Sequence, residues 1–450
     1  MGTADPGAQQ TLYDVINARP EFTAFMNLVN QTGYAEDLKS SRSFTVIVPT
    51  NEAMEQVKTV YDFNDSSVVR SFVGYHIISS VYNVNEASDT IRAKNLRNKY
   101  VELTHGNFDG VPAQKKNILA ANGLYHVVGT PLKPLANIYN LVTTTFAGTA
   151  QIGSVLMMDT ANYTNWITEV RRHMTTENSR CTYFVVDDDY FNTTYNQLRP
   201  FYYTHYDEAA DIPPDSTTAF FTKKALLRDF IVAGEVNIEE QPVDLVSVSG
   251  TKFSIDPGDI LSRYKASNGT VYRVKKQRCA LPDRIKEFRV SGTQPIGYKQ
   301  TDKRANTFFR TKEDLLGSLY SDMEIYGHGV TVFYAKYRAP NVNSVKYKVY
   351  GRAIMGLAGD PQTADFTQYV HFFDPTAVSV NEPDLYKRPV VNNLGANDIR
   401  MPWLVTVRNH DEVYLGEVTQ GEFGSMQLLV MSNGTGPIIL EYLRFVPVMQ

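Results

Sequence analysis

The stretch Phe44–Met54, FTVIVPTNEAM, constrains the chain more than any other. Its run Val46-Ile47-Val48 is rich in β-formers and short enough for a buried strand. Pro49 has no amide hydrogen to give a neighbouring strand, so the ladder ends there. Thr50 is a good N-cap, and Glu52 to Val57 continues with helix formers and apolar positions at Ala53, Met54 and Val57. A strand, a sharp corner and a helix come directly one after another.

Two later segments belong with it. Between Ser66 and Ile78, Val68, Val69, Phe72, Val73 and Ile77 fall at helical spacing, so Tyr75 and His76 lie near a helix end. Asn122-Gly123 is a strong turn signal leading into a further strand, Leu124–Val128. In this order, the Pro-Thr-Asn corner, the central Tyr-His and the closing Asn-Gly strand with its prolines resemble the fasciclin domain, an extracellular adhesion module. The resemblance covers residues 10–137. It implies a domain of packed helices on a small β-wedge, without catalytic activity. It also implies a partner-binding surface at Tyr75 and His76. The residues themselves point elsewhere, because a histidine on an apolar helix face is ordinarily a core residue bonded to backbone.

The pattern recurs. TYFVVDDDYF, Thr182–Phe191, aligns without gaps on TVIVPTNEAM, Thr45–Met54, and SNGTVYRV, Ser267–Val274, stands opposite ANGLYHVV, Ala121–Val128. A divergent second fasciclin-like domain is expected over residues 140–286. Val186 replaces the corner proline, Asp187-Asp188 replaces Thr-Asn, and Asp229-Phe230 is the nearest counterpart of Tyr-His. A longer insertion runs from Leu198 to Thr218. The two cysteines, Cys181 and Cys279, fall in strand regions that the repeat could make neighbours, so a disulfide and two buried free thiols are both open.

From Glu287 onward, short alternating segments recur: Val330–Tyr337, Val345–Ala353, Tyr369–Phe373, Trp403–Arg408, Val413–Val418, Gln427–Met431 and Ile438–Val446. Turn residues separate them, which predicts an all-β, jelly-roll-like sandwich. The fold class is therefore α+β. Residues 1–10 are expected as a disordered leader or tag, 11–139 as a first fasciclin-like domain, 140–286 as a second, and 287–450 as a sandwich. At 450 residues the length suits about three domains.

Composition narrows the function. A net charge of −4 argues against nucleic acid or an anionic bilayer as partner. No apolar run reaches the ~18 residues needed to span a membrane. GxSxG, HExxH, a P-loop and a strand-linked GxGxxG are all missing, and no catalytic residue, metal or cofactor is assigned. Asp187-Asp188-Asp189 is read as a helix cap in preference to a calcium site.

For a sugar ligand, aromatic faces with polar neighbours are the candidates. Trp403, Tyr414, Asp411 and Asn409 are assigned as the ligand-binding set, with Phe423, Tyr320, Tyr326, Trp166 and Tyr202-Tyr203 behind them. The expectation is a non-enzymatic surface protein whose partner is an extracellular polysaccharide or a surface protein. Chains of this layout resemble outer-membrane lipoproteins. That likeness implies membrane attachment only through a removed lipid anchor, with a polysaccharide importer complex as one setting. Read literally, MGTADPGAQQ has no signal core and keeps the chain in the cytoplasm; set beside the resemblance, Met1-Gly2 marks a trimmed export signal.

Overall fold

The computed structural model describes residues 9–84, 90–160, 167–204, 214–299, 306–357, 360, 364–373, 398–408 and 410–449. Among the described residues, one large hydrophobic core per unit follows another along the chain, with smaller satellite clusters under the first unit's β-wedge and in the sandwich.

In the first unit, the strand Phe44–Pro49 is wholly buried and runs parallel to Gly123–Val128, with Phe44 opposite Gly123 and Pro49 opposite Val128. These two lie near one edge of a seven-stranded sheet whose far side is the wedge from Ile91 to Ala120. The corner behaves as expected: Thr50 Oγ1 accepts from the Ala53 amide at 3.2 Å and starts the helix Asn51–Glu55. Asn51 does more. Its Oδ1 accepts from Ala24 N at 2.8 Å and its Nδ2 donates to Pro20 O at 2.8 Å, which fastens the start of helix Thr23–Asn30 to the corner.

The second unit repeats this frame. Cys181–Val185 runs parallel to Gly269–Val274, with Gly269 opposite Cys181. Asp188 accepts from Ala150 N at 2.8 Å, as Asn51 does from Ala24. Phe184 N donates to Phe230 O at 2.9 Å, as Ile47 N does to His76 O, so Phe230 takes the histidine's place. Of the Asp cluster, Asp187 pairs with Arg273 at 2.6 Å and Asp188 caps the helix Ala150–Thr160.

The closest correspondence is at the two Asn-Gly turns. Asn122 Oδ1 accepts from Leu12 N at 2.7 Å, and its Nδ2 donates to Leu38 O and Ser40 O at 2.9 and 2.7 Å. Asn268 Oδ1 accepts from Ile138 N at 2.8 Å, and its Nδ2 donates to Met174 O and Thr176 O at 2.9 and 3.3 Å. Gly123 and Gly269 have φ of 149° and 151°. A Cβ on either would fall within 2.0 Å of the Phe44 or Cys181 carbonyl oxygen.

The third unit is antiparallel throughout. A four-stranded sheet, in the order Phe288–Ser291, Tyr442–Pro447, Lys346–Arg352 and Val413–Thr419, packs across a shared core on a five-stranded one. The five are ordered Gly297–Tyr298, Tyr334–Val342, Gly424–Ser432, Phe366–Phe372 and Ile399–Val405. The segment expected as one strand from Ile438 to Val446 divides at Glu441. Ile438–Leu440 joins a hairpin made by Thr307–Glu313 and Leu319–Ile325, and Tyr442–Pro447 joins the four-stranded sheet. Gln368, fully buried in the five-stranded sheet, ties it to the hairpin's sheet: its Nε2 donates to Ile439 O at 2.8 Å and its Oε1 accepts from Ile439 N at 3.0 Å.

Polar and aromatic joints connect the units. Lys99 of the first donates to Ser267 of the second at 3.2 Å and pairs with Glu177 at 3.3 Å, while Glu102 pairs with Lys265 at 3.0 Å and with Arg180. At the second joint, Phe423 of the sandwich packs on Tyr202 and Phe221, each at 4.9 Å between centroids. Phe423 N donates to Tyr203 O at 2.6 Å, and Ser344 N to Phe201 O at 2.8 Å.

Removing a turn asparagine strands one amide and two carbonyls in the core. Asn122→Ala and Asn268→Ala are each expected to lower stability by about 3 kcal/mol, the cost of several unpaired buried groups. Urea denaturation checks this, and a loss under about 1 kcal/mol would mean that water replaces the side chain.

Candidate functional site

The Tyr-His pair sits at the end of helix Ser66–Tyr75, with His76 as its C-cap. Neither residue is a surface group: Tyr75 is 1% exposed and His76 0%. The expectation of a partner-binding surface there is corrected by this burial. Leu132 N donates to His76 Nε2 at 2.9 Å, so the proton lies on Nδ1, which donates to Phe72 O at 2.8 Å. The ring thereby welds the helix to the segment after the closing strand.

Tyr75 faces the first joint. Its hydroxyl donates to Asp109 at 2.8 Å, Asp109 accepts from Glu102 N at 2.8 Å, and the Glu102 carboxylate reaches across to Arg180 and Lys265. What Tyr75 supports is therefore the next unit of the same chain.

The four residues assigned to a sugar site separate. Trp403 is 1% exposed. In Ile399–Val405, Met401, Trp403 and Val405 share the inward parity, and the indole lies on Gly351, where a Cβ would come within 2.7 Å of the ring. It is a core residue, and its assignment to a binding face is overturned. Asn409 lies outside the described residues, as does Trp166. Asp411 is exposed, and Tyr414 is 53% exposed. Of the other aromatics named, Phe423 and Tyr202 fill the second joint, Tyr320 is buried, and Tyr326 stacks on Phe308 at 4.9 Å.

Tyr414 projects from the outer face of the four-stranded sheet, and the residues around it form an ordered surface that sequence alone did not assemble. Tyr350, its cross-strand partner, lies 5.5 Å away at 56°. The Arg444 guanidinium covers Tyr350 at 4.6 Å and forks onto Glu412 at 2.8 and 2.6 Å. Arg289 covers Tyr442 at 4.3 Å. Alternating aromatic and charged residues along Lys346–Arg352 and Tyr442–Pro447 was the available signal; the pairing across strands was not.

Elsewhere in the sandwich, Asp322, Glu324 and Asp360 are buried against Arg310 and Lys312. Desolvation pushes Glu324 up to about 7. The two cations occupy the space between the carboxylates, and among the described residues no group of three or more His, Cys, Asp or Glu is arranged to hold a metal.

Cys181 and Cys279 are free thiols, which corrects the disulfide alternative. Cys181 is buried, donates to His173 O at 3.2 Å, and is pushed up to about 12 by desolvation. Cys279 is half-buried and borders Ala280 O at 3.5 Å.

Comparison with known proteins fits the first unit. Residues 20–134 match the family model of the fasciclin domain. The first unit is a fasciclin domain. Over 134 residues the chain is 24% identical to the pig (Sus scrofa) transforming growth factor-beta-induced protein ig-h3, a match that takes in 28% of this chain and 20% of that relative's length. The structure is also similar to a fasciclin domain pair from the insect cell adhesion molecule fasciclin I, with a TM-score of 0.26 and 16% identity over 59% of this chain and 99% of that one. A family 35 carbohydrate-binding module from Clostridium thermocellum gives a TM-score of 0.21 and 14% identity over 36% of this chain and 99% of the module. Among the described residues no helix is long and apolar enough to cross a membrane.

Burial pushes His76 and His126 of the fasciclin domain down to about 4 from an ordinary 6.5. Each is neutral when folded, whereas the unfolded chain takes up its proton near 6.5. The stability each histidine contributes is complete above pH 6.5 and is lost as pH falls toward 4. The stability gap between wild type and His76→Gln is expected to shrink by ~1.4 kcal/mol per pH unit below 6.5. Glu324 titrates equally in both and cancels. A gap independent of pH would show that His76 takes up its proton as readily in the fold as in the unfolded chain.

For the thiols, one equivalent is expected to react with Ellman's reagent in the native protein and a second only after unfolding. Mass under non-reducing conditions should equal that of two reduced cysteines.

Proposed function

We propose that this chain is a non-enzymatic cell-surface adhesion and recognition protein, in which a fasciclin domain and a diverged second one hold a β-sandwich that reads a polysaccharide. The fasciclin domain is an adhesion and binding module, and the joints around Glu102 and Phe423 make the tandem a stiff support for the sandwich. The observation that carries the reading is the exposed Tyr414 ring beside Tyr350, with Asp411 and Glu412 just before it in the chain. Flat rings stack on the apolar faces of sugars, and neighbouring carboxylates accept from their hydroxyls. Arg444 covers Tyr350, the neighbour of Tyr414, and so fixes one of the two rings before any ligand arrives. An accessory lipoprotein beside an outer-membrane polysaccharide importer is the finer form of this reading.

A second reading rests on a separate feature. Leu315, Leu316 and Leu319 are 71, 90 and 77% exposed at the tip of the Thr307–Ile325 hairpin. Such a tip suits a cleft in another surface protein, and this chain would then be a docking subunit.

Affinity gels loaded with a panel of polysaccharides decide between them. Retardation of the intact protein by one glycan is expected, weakened about tenfold or less by Tyr414→Ala, the worth of one aromatic contact. Trp403→Phe should leave it unchanged. Retardation by no glycan would abandon the polysaccharide in favour of a protein partner, with the leucine tip as the place to look.

A further inference from the structure

The joint between the second unit and the sandwich encloses a cavity of about 420 Å³. That is enough for one or two sugar rings, on the ordinary ~300–1,000 Å³ scale of ligand pockets. Its charge is unlike that of the molecule. The chain carries a net −4, yet among the described residues Arg228, Arg284, Lys286, Arg289 and Arg338 line this space against only two carboxylates.

Both carboxylates are already committed. Asp229 is buried against Arg284, which it neutralises, and it also accepts from Ser249. Glu287 turns outward to Arg444 at 2.9 Å. Among the cations, Arg228 is paired with Glu169 at 2.9 Å, outside the cavity, and Arg338 donates to Ser425 at 3.1 Å. Among the described residues, no carboxylate lies within ion-pair distance of Lys286 or Arg289. Lys286 donates to the Ser249 carbonyl at 3.1 Å, and Arg289 lies over the Tyr442 ring. Desolvation lowers the Lys286 pKa and outweighs the opposing fields of Asp229 and Asp283, neither of which is in ion-pair contact with it.

Between these cations the wall is neutral and polar. Gln294, Asn341 and Asn343 bring amides, and Thr251 and Ser291 bring hydroxyls. Amides and hydroxyls match sugar hydroxyls, whereas cations in excess match a carboxylate.

We propose that this junction cavity is a binding site for an acidic saccharide, a uronate whose carboxylate meets Lys286 and whose hydroxyls meet the amide wall. The site exists only where two units meet, so neither supplies it alone. The proposal shares with the reading above the choice of a saccharide as ligand and one residue, Arg289, and variants of Lys286 and Tyr414 let the two fail separately. Tyr414 lies on the outer sheet face and does not line the cavity.

The test is calorimetric titration of the full chain with trigalacturonate, and with the uncharged trisaccharide of galactose as control. Trigalacturonate is expected to bind at least tenfold more tightly than the control. Lys286→Met should weaken it about 10–100-fold, the worth of one charge-assisted hydrogen bond. Arg338→Gln should weaken it less, Tyr414→Ala should leave it unchanged, and inorganic sulfate should compete. Lys286 pairs with no described carboxylate, so Lys286→Met is expected to fold, with unchanged circular dichroism. Equal affinity for the two trisaccharides, no binding of trigalacturonate at millimolar concentration, or binding untouched by both cavity variants would overturn the proposal. Weakening by Tyr414→Ala alone would move the acidic sugar to the sheet face.

Discussion

Two buried asparagine side chains hold the first two units together, and the rest of their architecture depends on them. A parallel strand pair at the centre of a small unit cannot be closed by a hairpin, so the chain must return to it from a distance. Asn122 and Asn268 stand where that return meets the start of the unit. Each accepts from the first turn of the opening helix and donates to two carbonyls that end another helical segment. The following glycine places its backbone against the partner strand, closer than any side chain allows. With three backbone groups satisfied by one residue, the long loop entropy of closing each unit is offset at a single point.

The same logic explains how the repeat tolerates divergence. The second unit has lost the corner proline, the corner asparagine and the histidine, yet the roles persist. Asp188 caps a helix as Asn51 does, and Phe230 supplies the carbonyl that His76 supplies. What differs is the residue beside it. Tyr75 reaches Asp109 and steadies the first joint, whereas Asp229 in the corresponding position pairs with Arg284 at the second. The Tyr-His position is thus used twice to prepare a contact with the following unit, once through a hydroxyl and once through an ion pair. The second pair ties its carboxylate to Arg284, and the cations that line the junction cavity still outnumber the carboxylates there.

Sandwich and tandem divide the work differently. The inner faces of the sandwich are filled by Trp403, Tyr337, Tyr347 and Phe445, and the outer face of the four-stranded sheet holds tyrosines in place with arginines. Large aromatics therefore serve both stability and exposure in one domain, and only the parity of each strand separates the two uses.

Much of the frame was legible from the chain. The strand, Pro-Thr corner and helix around Phe44–Met54, the Asn-Gly turns, the gap-free repeat at Thr182–Phe191 and the run of sandwich strands all arise from interactions between residues a few positions apart. Such interactions leave local marks: a missing amide at Pro49, a cap at Thr50, a left-handed or extreme φ at glycine. The alternation Met401-Trp403-Val405 also carried the inward parity of Trp403. Facts between distant segments required the tertiary structure. The division of Ile438–Val446 between two sheets, the separation of the two thiols, the burial of Tyr75 and His76, and the cavity where Lys286 meets Asn343 depend on which surfaces pack together. Exposure, pairing and enclosed charge are set by those contacts, and no short stretch of sequence encodes them alone.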